Sequence, residues 1–96
     1  MTNFSKRVYD IVKTIPKGEV LTYEEVAIKL GNKNLARAVG NALNKNPNQK
    51  EIPCHRVVSK KYMLAANFRF GGLEGQKKLL EAEGHTIINN KVIYYK

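Results

Sequence analysis

Phe4, Val8, Ile11, Val12 and Ile15 recur at helical spacing, with Lys6, Arg7, Asp10 and Lys13 on the other side, and predict an amphipathic helix over about 4–15. Pro16 and Gly18 end it. Thr22, three residues ahead of Glu25, has the pattern of a capping box and starts a second helix with Tyr23, Val26, Ala27 and Leu30 facing inward and Gly31 as its stop. The stretch Glu19-Val20-Leu21 before it is too brief to classify. After a polar turn at 32–34, Leu35, Val39, Ala42 and Leu43 mark a third helix, which Pro47 prevents from running on. Two helices across a tight turn make a helix-turn-helix candidate, though any small helical hairpin has the same pattern. The exposed face of the third helix offers Arg37, Asn41, Asn44 and Lys45, while Ala36, Ala38, Gly40 and Ala42 keep it slim enough to approach another backbone closely.

From Asn46 to Gly72 the periodicity disappears, and Pro47, Pro53, Lys60-Lys61 and Gly71-Gly72 predict a loop-built region. Leu73, Lys77, Leu79 and Leu80 restore helical spacing up to Gly84. Thr86-Ile87-Ile88 and Val92-Ile93-Tyr94-Tyr95 flank Asn89-Asn90, a pair that tolerates the positive backbone angles of a tight turn, and so predict a β-hairpin. A mostly helical α/β fold in one domain, residues 1–96, is expected.

Charge narrows the class of partner. The 17 Lys and Arg against 8 Asp and Glu leave +9 on 96 residues, which favours a polyanion, with nucleic acid ahead of an acidic membrane surface. The length leaves no room for a separate cofactor domain. One cysteine, Cys54, cannot form an internal disulfide, and with only His55 and His85 beside it a zinc site is short of ligands. No apolar run approaches the roughly 20 residues of a membrane span, and no signal-peptide core follows the start. A soluble, cytoplasmic protein with no membrane partner is expected.

The segment Ile52-Pro53-Cys54-His55-Arg56-Val57-Val58 holds the candidate chemistry. A thiol becomes a nucleophile as thiolate, and an imidazole able to take its proton lowers the cost of ionisation. Taken alone, a His following a Cys reads by default as a buried, inert thiol beside an incidental imidazole. The surroundings decide. Gly18-Glu19-Val20-Leu21-Thr22-Tyr23, Ala36-Arg37-Ala38-Val39-Gly40, Asn46-Pro47, Pro53-Cys54-His55-Arg56-Val57-Val58, Phe68-Arg69-Phe70-Gly71, Leu79-Leu80 and Glu83-Gly84 follow one another in the order found in the O6-alkylguanine-DNA alkyltransferases. From Phe4 to His85 the chain resembles their C-terminal, DNA-binding and active-site domain.

The resemblance implies a winged helix-turn-helix domain with a C-terminal hairpin. It also implies a suicide repair reaction: Cys54 takes the alkyl group from O6 of a damaged guanine and keeps it as a thioether, with no metal or organic cofactor. By the family's pattern His55 takes the thiol proton through a bound water, Glu83 accepts the other imidazole N–H, Tyr23 donates to guanine N3, and Asn46 ties the active-site loop to the recognition helix. Arg37 is the finger that replaces the flipped base from the minor groove, on a helix whose Ala36, Gly40, Asn41 and Lys45 lie against the duplex. The pocket is assigned to the Cys54 and Val57 carbonyls and the Phe68, Arg69 and Phe70 loop. The partner implied is double-stranded DNA containing alkylated guanine, bound by a monomer.

The resemblance has departures. Phe68 stands where the family commonly has Tyr, and 59–67 lacks the usual glycine-containing turn. The related alkyltransferase-like proteins, which bind alkylated guanine without dealkylating it, typically have Trp where this chain has Cys54. The alternative is therefore a non-catalytic lesion sensor that recruits other repair factors. A winged-helix regulator that has lost the chemistry is a third reading.

Overall fold

The computed structural model describes residues 2–94. Helix α1, Asn3–Val12, is capped by the Thr2 hydroxyl, which accepts from Ser5 N–H at 3.0 Å. It stops three residues short of the predicted end. Pro16 disfavours helical backbone at Ile15, and the chain leaves through a turn in which Ile15 N–H bonds Val12 O, still burying Ile15. Tyr9, absent from the predicted apolar stripe, is buried because its hydroxyl donates to Ala42 O at 2.7 Å.

The brief unclassified stretch leads into a strand, β1 at Leu21–Thr22, and helix α2, Tyr23–Lys29, follows directly with the capping box formed at Thr22 and Glu25. Gly31, at φ +105°, turns the chain out of α2, a conformation only glycine adopts without strain. One 3₁₀ turn at Lys33–Leu35 then leads into α3, Ala36–Leu43. This α2–turn–α3 unit packs on α1 over a core that includes Val8, Val12, Val26, Ala27, Val39 and Leu43.

The 46–72 region is irregular but ordered by short elements: 3₁₀ turns at Cys54–Arg56 and Lys60–Tyr62, and strand β2 at Val57–Val58. β2 pairs in parallel with β1, Leu21 opposite Val57 and Thr22 opposite Val58. Alternation along β2 sends Val57 into the helical core and Val58 into a second cluster with Val20, Leu64, Leu80 and Val92. Helix α4, Gly72–Ala82, and the antiparallel hairpin β3, Thr86–Ile88, with β4, Lys91–Ile93, close that second cluster. Asn89 and Asn90 at φ 51° and 61° make the hairpin turn as expected. The second strand ends at Ile93; Tyr95, expected in it, lies outside the described residues.

Candidate active site and nucleic-acid interface

Cys54 begins the 3₁₀ turn between the two cores and is only 4% exposed. It lines a cleft of about 650 Å³ together with Tyr23 of α2, Ala36, Arg37, Gly40 and Asn41 of α3, and Phe68 and Arg69 of the loop before α4. The sulfur thus faces a concave surface bounded by the second helix of the helix-turn-helix. Burial pushes the Cys54 thiol up from its ordinary range, with hydrogen bonding and the Arg69 charge pulling the other way. Burial likewise raises the Tyr23 phenol, so it stays a proton donor well above neutral pH.

Behind the sulfur lies a polar cluster. Gln49 spans the thiol and the imidazole: Cys54 Sγ donates to Gln49 Oε1 at 3.4 Å, and Gln49 Nε2 meets His55 Nδ1 at 2.5 Å. If the amide N–H donates there, the His55 proton resides on Nε2, which lies 3.1 Å from Glu83 Oε2 but off the geometry of a hydrogen bond. Burial lowers the His55 pKa, opposed by Glu83. Burial would raise the Glu83 carboxyl, but Arg56 and His55 outweigh it and hold it below its usual value. Arg56 grips Glu83 with both ends of its guanidinium, at 3.0 and 2.6 Å, and spends its remaining nitrogen on Ile15 O at 2.8 Å.

Two amides fix the backbone around this cluster. Asn46, fully buried, donates to Ile52 O at 2.8 Å and accepts from Asn48 N–H at 2.9 Å, so the end of α3 and the start of the Cys54 turn are one unit. Gln76 of α4, also fully buried, donates to His55 O and Val57 O at 3.0 and 2.9 Å and accepts from Ala65 N–H at 2.6 Å. Arg69 donates to Asn44 O at 2.8 Å, anchoring the Phe68 loop to the α3 terminus.

Of the site residues expected from sequence, Cys54, Tyr23, Arg37, Ala36, Gly40, Asn41, Phe68 and Arg69 line the cleft, and His55, Glu83 and Asn46 stand behind it. Three others are elsewhere. Lys45 borders a separate depression with Thr2, Ser5, Tyr9 and Pro47. The Val57 side chain is in the core, and its carbonyl is already bonded by Gln76. Phe70 is 36% exposed, edge-on to Phe68, and does not border the cleft. Gln49, Gln76 and the Arg56 clamp were not expected. Nothing in their spacing marks them: the partners of Gln76 and Arg56 are distant in sequence or are backbone atoms, and Gln49 meets Cys54 and His55, five and six residues on, only because its loop is irregular.

Among the described residues no group of three or more His, Cys, Asp or Glu could hold a metal ion, and no helix is long and apolar enough to cross a membrane. Residues 3–85 match the model of the 6-O-methylguanine DNA methyltransferase, DNA binding domain. A methylated-DNA–protein-cysteine methyltransferase from Kluyveromyces lactis is 42% identical over 85% of this chain and 42% of its own length. The Mycobacterium leprae protein of that name is 38% identical over 97% of this chain and 55% of its own. The chain thus spans about half the length of such relatives. Among solved structures, S. pombe Atl1 in complex with damaged DNA containing O6-carboxymethylguanine superimposes with a TM-score of 0.81 at 36% identity, covering 92% of this chain and 82% of that one. The Mycobacterium tuberculosis OGT in complex with DNA gives 0.80 at 39% identity, over 88% and 50%.

Proposed function

This chain belongs to the 6-O-methylguanine DNA methyltransferase family, and we propose that it is a one-shot DNA repair protein that moves the alkyl group of O6-alkylguanine to Cys54. The observation that carries the reading is the placement of Cys54 beside Tyr23 in a cleft bounded by α3, with His55 and Glu83 behind it. A base inside a duplex cannot reach a sulfur at this depth, so the lesion flips out of the stack into the cleft. Arg37, exposed on the cleft side of α3, enters the minor groove and fills the gap. A Cβ added at Gly40 would meet only Tyr23, at 3.9 Å, so internal packing does not demand glycine there and close approach of an outside backbone is the better reason for it.

The proton of Cys54 passes to His55, whose cation the Glu83 carboxylate stabilises. The thiolate attacks the alkyl carbon; an S–C bond forms as the C–O6 bond breaks, and the electron pair remains on guanine O6. Tyr23 donates toward N3 and eases the departure of the base. In sum, the thiol proton replaces the alkyl group on guanine, and the protein, which has one cysteine, is spent. It works as a monomer inside the cell, on double-stranded DNA, without a cofactor.

Intact-protein mass spectrometry after incubation with a duplex carrying one O6-methylguanine tests this. A gain of one methylene on Cys54 with unmodified guanine in the DNA is expected. A non-catalytic lesion sensor is the second reading, favoured by a match that covers most of both chains, to S. pombe Atl1 in complex with damaged DNA. Lesion-selective binding with no mass change would establish the sensor and refute alkyl transfer.

A further inference from the structure

The sulfur and the imidazole that must exchange a proton are joined in this chain by a third side chain. Gln49 is half-buried and sits in the loop between the end of α3 and the Cys54 turn. Its loop is shaped by Asn46 Oδ1 accepting from Asn48 N–H, and by Asn48 Oδ1 accepting from the Lys50 and Glu51 N–H groups. We propose that Gln49 is a positioning residue of the transfer reaction: its amide bridges Cys54 and His55 and couples the ionisation of one to that of the other. This rests on the alkyl-transfer reading given above.

In the resting state the thiol donates to Oε1 and Nε2–H donates to Nδ1, and both partners are neutral. For transfer the Sγ–H bond breaks and an Nδ1–H bond forms, with solvent water carrying the proton. An amide turned half a revolution about its terminal bond then offers N–H to the thiolate and oxygen to the imidazolium. Both contacts become charge-assisted, and such bonds are roughly twice as strong as neutral ones. A thiolate facing an unprotonated Nδ1 leaves the bridge with two acceptors and one usable edge of donors, so the mixed state is disfavoured. The other charged or titratable groups around the pair are Glu83, Arg56 and His85 on the imidazole side and Tyr9, Tyr23 and Arg69 on the thiol side; no hydrogen bond from any of them joins Cys54 to His55 among the described residues.

Two variants of the full chain separate coupling from packing. Gln49→Met keeps the length and removes both polar ends, whereas Gln49→Ala opens room in which water can take the bridge. Circular dichroism melting confirms folding, and iodoacetamide alkylation of the single cysteine is followed by mass against pH without DNA, beside benzyl transfer from free O6-benzylguanine. Expected in Gln49→Met is transfer slowed about tenfold, the gain lost when two hydrogen bonds no longer strengthen from neutral to charge-assisted on the ion pair, with the alkylation midpoint moved to higher pH. Gln49→Ala should fall between Met and wild type. A packing role predicts the reverse order, because Met fills the space and Ala empties it. Met equal to wild type with an unchanged pH profile, Ala worse than Met, or Ala faster than wild type each overturns the proposal. If wild type takes neither the benzyl group nor the methyl group of an O6-methylguanine duplex, alkyl transfer fails as a reading, while the iodoacetamide profile still decides the role of Gln49.

Discussion

Replacing Gln76 by leucine isolates the contribution of a buried amide at little cost in volume. Gln76 is fully buried, and its three hydrogen bonds reach Ala65 N–H, His55 O and Val57 O. Leucine of similar size leaves little cavity, so the main loss is three polar backbone groups deprived of a partner in the interior. At the low end of about 1 kcal/mol per orphaned group the cost is about 3 kcal/mol, reduced slightly by the more favourable burial of leucine than of an amide. For a domain of this size that is a fall in Tm of about 10–20 °C. Urea melts should show a lower midpoint with unchanged slope, and differential scanning calorimetry the fall in Tm. Because two of the bonds hold the backbone of the Cys54 turn, alkyl transfer should weaken more than DNA affinity. A Tm within 3 °C of wild type, a shift of under about 1 kcal/mol, would refute the reasoning by showing that the three groups are satisfied without Gln76.

Arg37→Ala should slow repair of an O6-methylguanine duplex far more than reaction with free O6-benzylguanine; equal losses in single-turnover assays would remove Arg37 from base flipping. Gly75→Ala places a Cβ 2.3 Å from Phe70 O, a backbone atom that cannot step aside, so the Phe68–Phe70 loop must shift, and a melting temperature equal to wild type would contradict that contact. His55 and His85 are both held below their ordinary pKa of 6.5 by burial, so the unfolded chain binds more protons than the native one below that value. Stability is therefore fully present above about pH 6.5 and declines as pH falls through the depressed values, with the lowered Glu83 adding a further loss at more acid pH. Chemical denaturation at a series of pH values checks the sign, and stability that rises between pH 6.5 and 5 would reverse it.

The helices were legible because their signals are local. Thr22 and Glu25 cap α2 from within four residues, and the apolar spacing of α1 needs no distant partner, although Pro16 cut that helix shorter than its apolar pattern. The hairpin was legible for the same reason, through Asn89-Asn90. The parallel pairing of β1 with β2 was not, since two strands of two residues carry no period and meet only in three dimensions. At the site, the motif around Cys54 pointed by resemblance to a candidate nucleophile and to neighbours that the fold places in or behind the cleft. Tyr23 shows the limit of periodicity: its helical spacing puts it inward with Val26 and Ala27, yet the ring is half-buried and borders the cleft. Gln76 falls on α4 among Lys77 and Lys78, where composition suggests a solvated face, and its purpose appears only when the backbone it serves is in view.

The ties that close the Cys54 turn have a consequence for how the chain folds. Arg56 reaches Ile15 across 41 residues and Glu83 across 27, and Gln76 reaches His55 across 21. The α2–turn–α3 unit and the hairpin, by contrast, are built from neighbours along the chain. Long loops close late, after local structure has repaid part of the entropy of ordering. The backbone of the Cys54 turn should therefore be fixed in the last stage of folding, when α4 docks, and substitutions at Arg56 or Gln76 should accelerate unfolding while barely slowing refolding. Native-state hydrogen exchange would accordingly find the 54–58 backbone opening in concert with α4, ahead of the helices that bound the cleft.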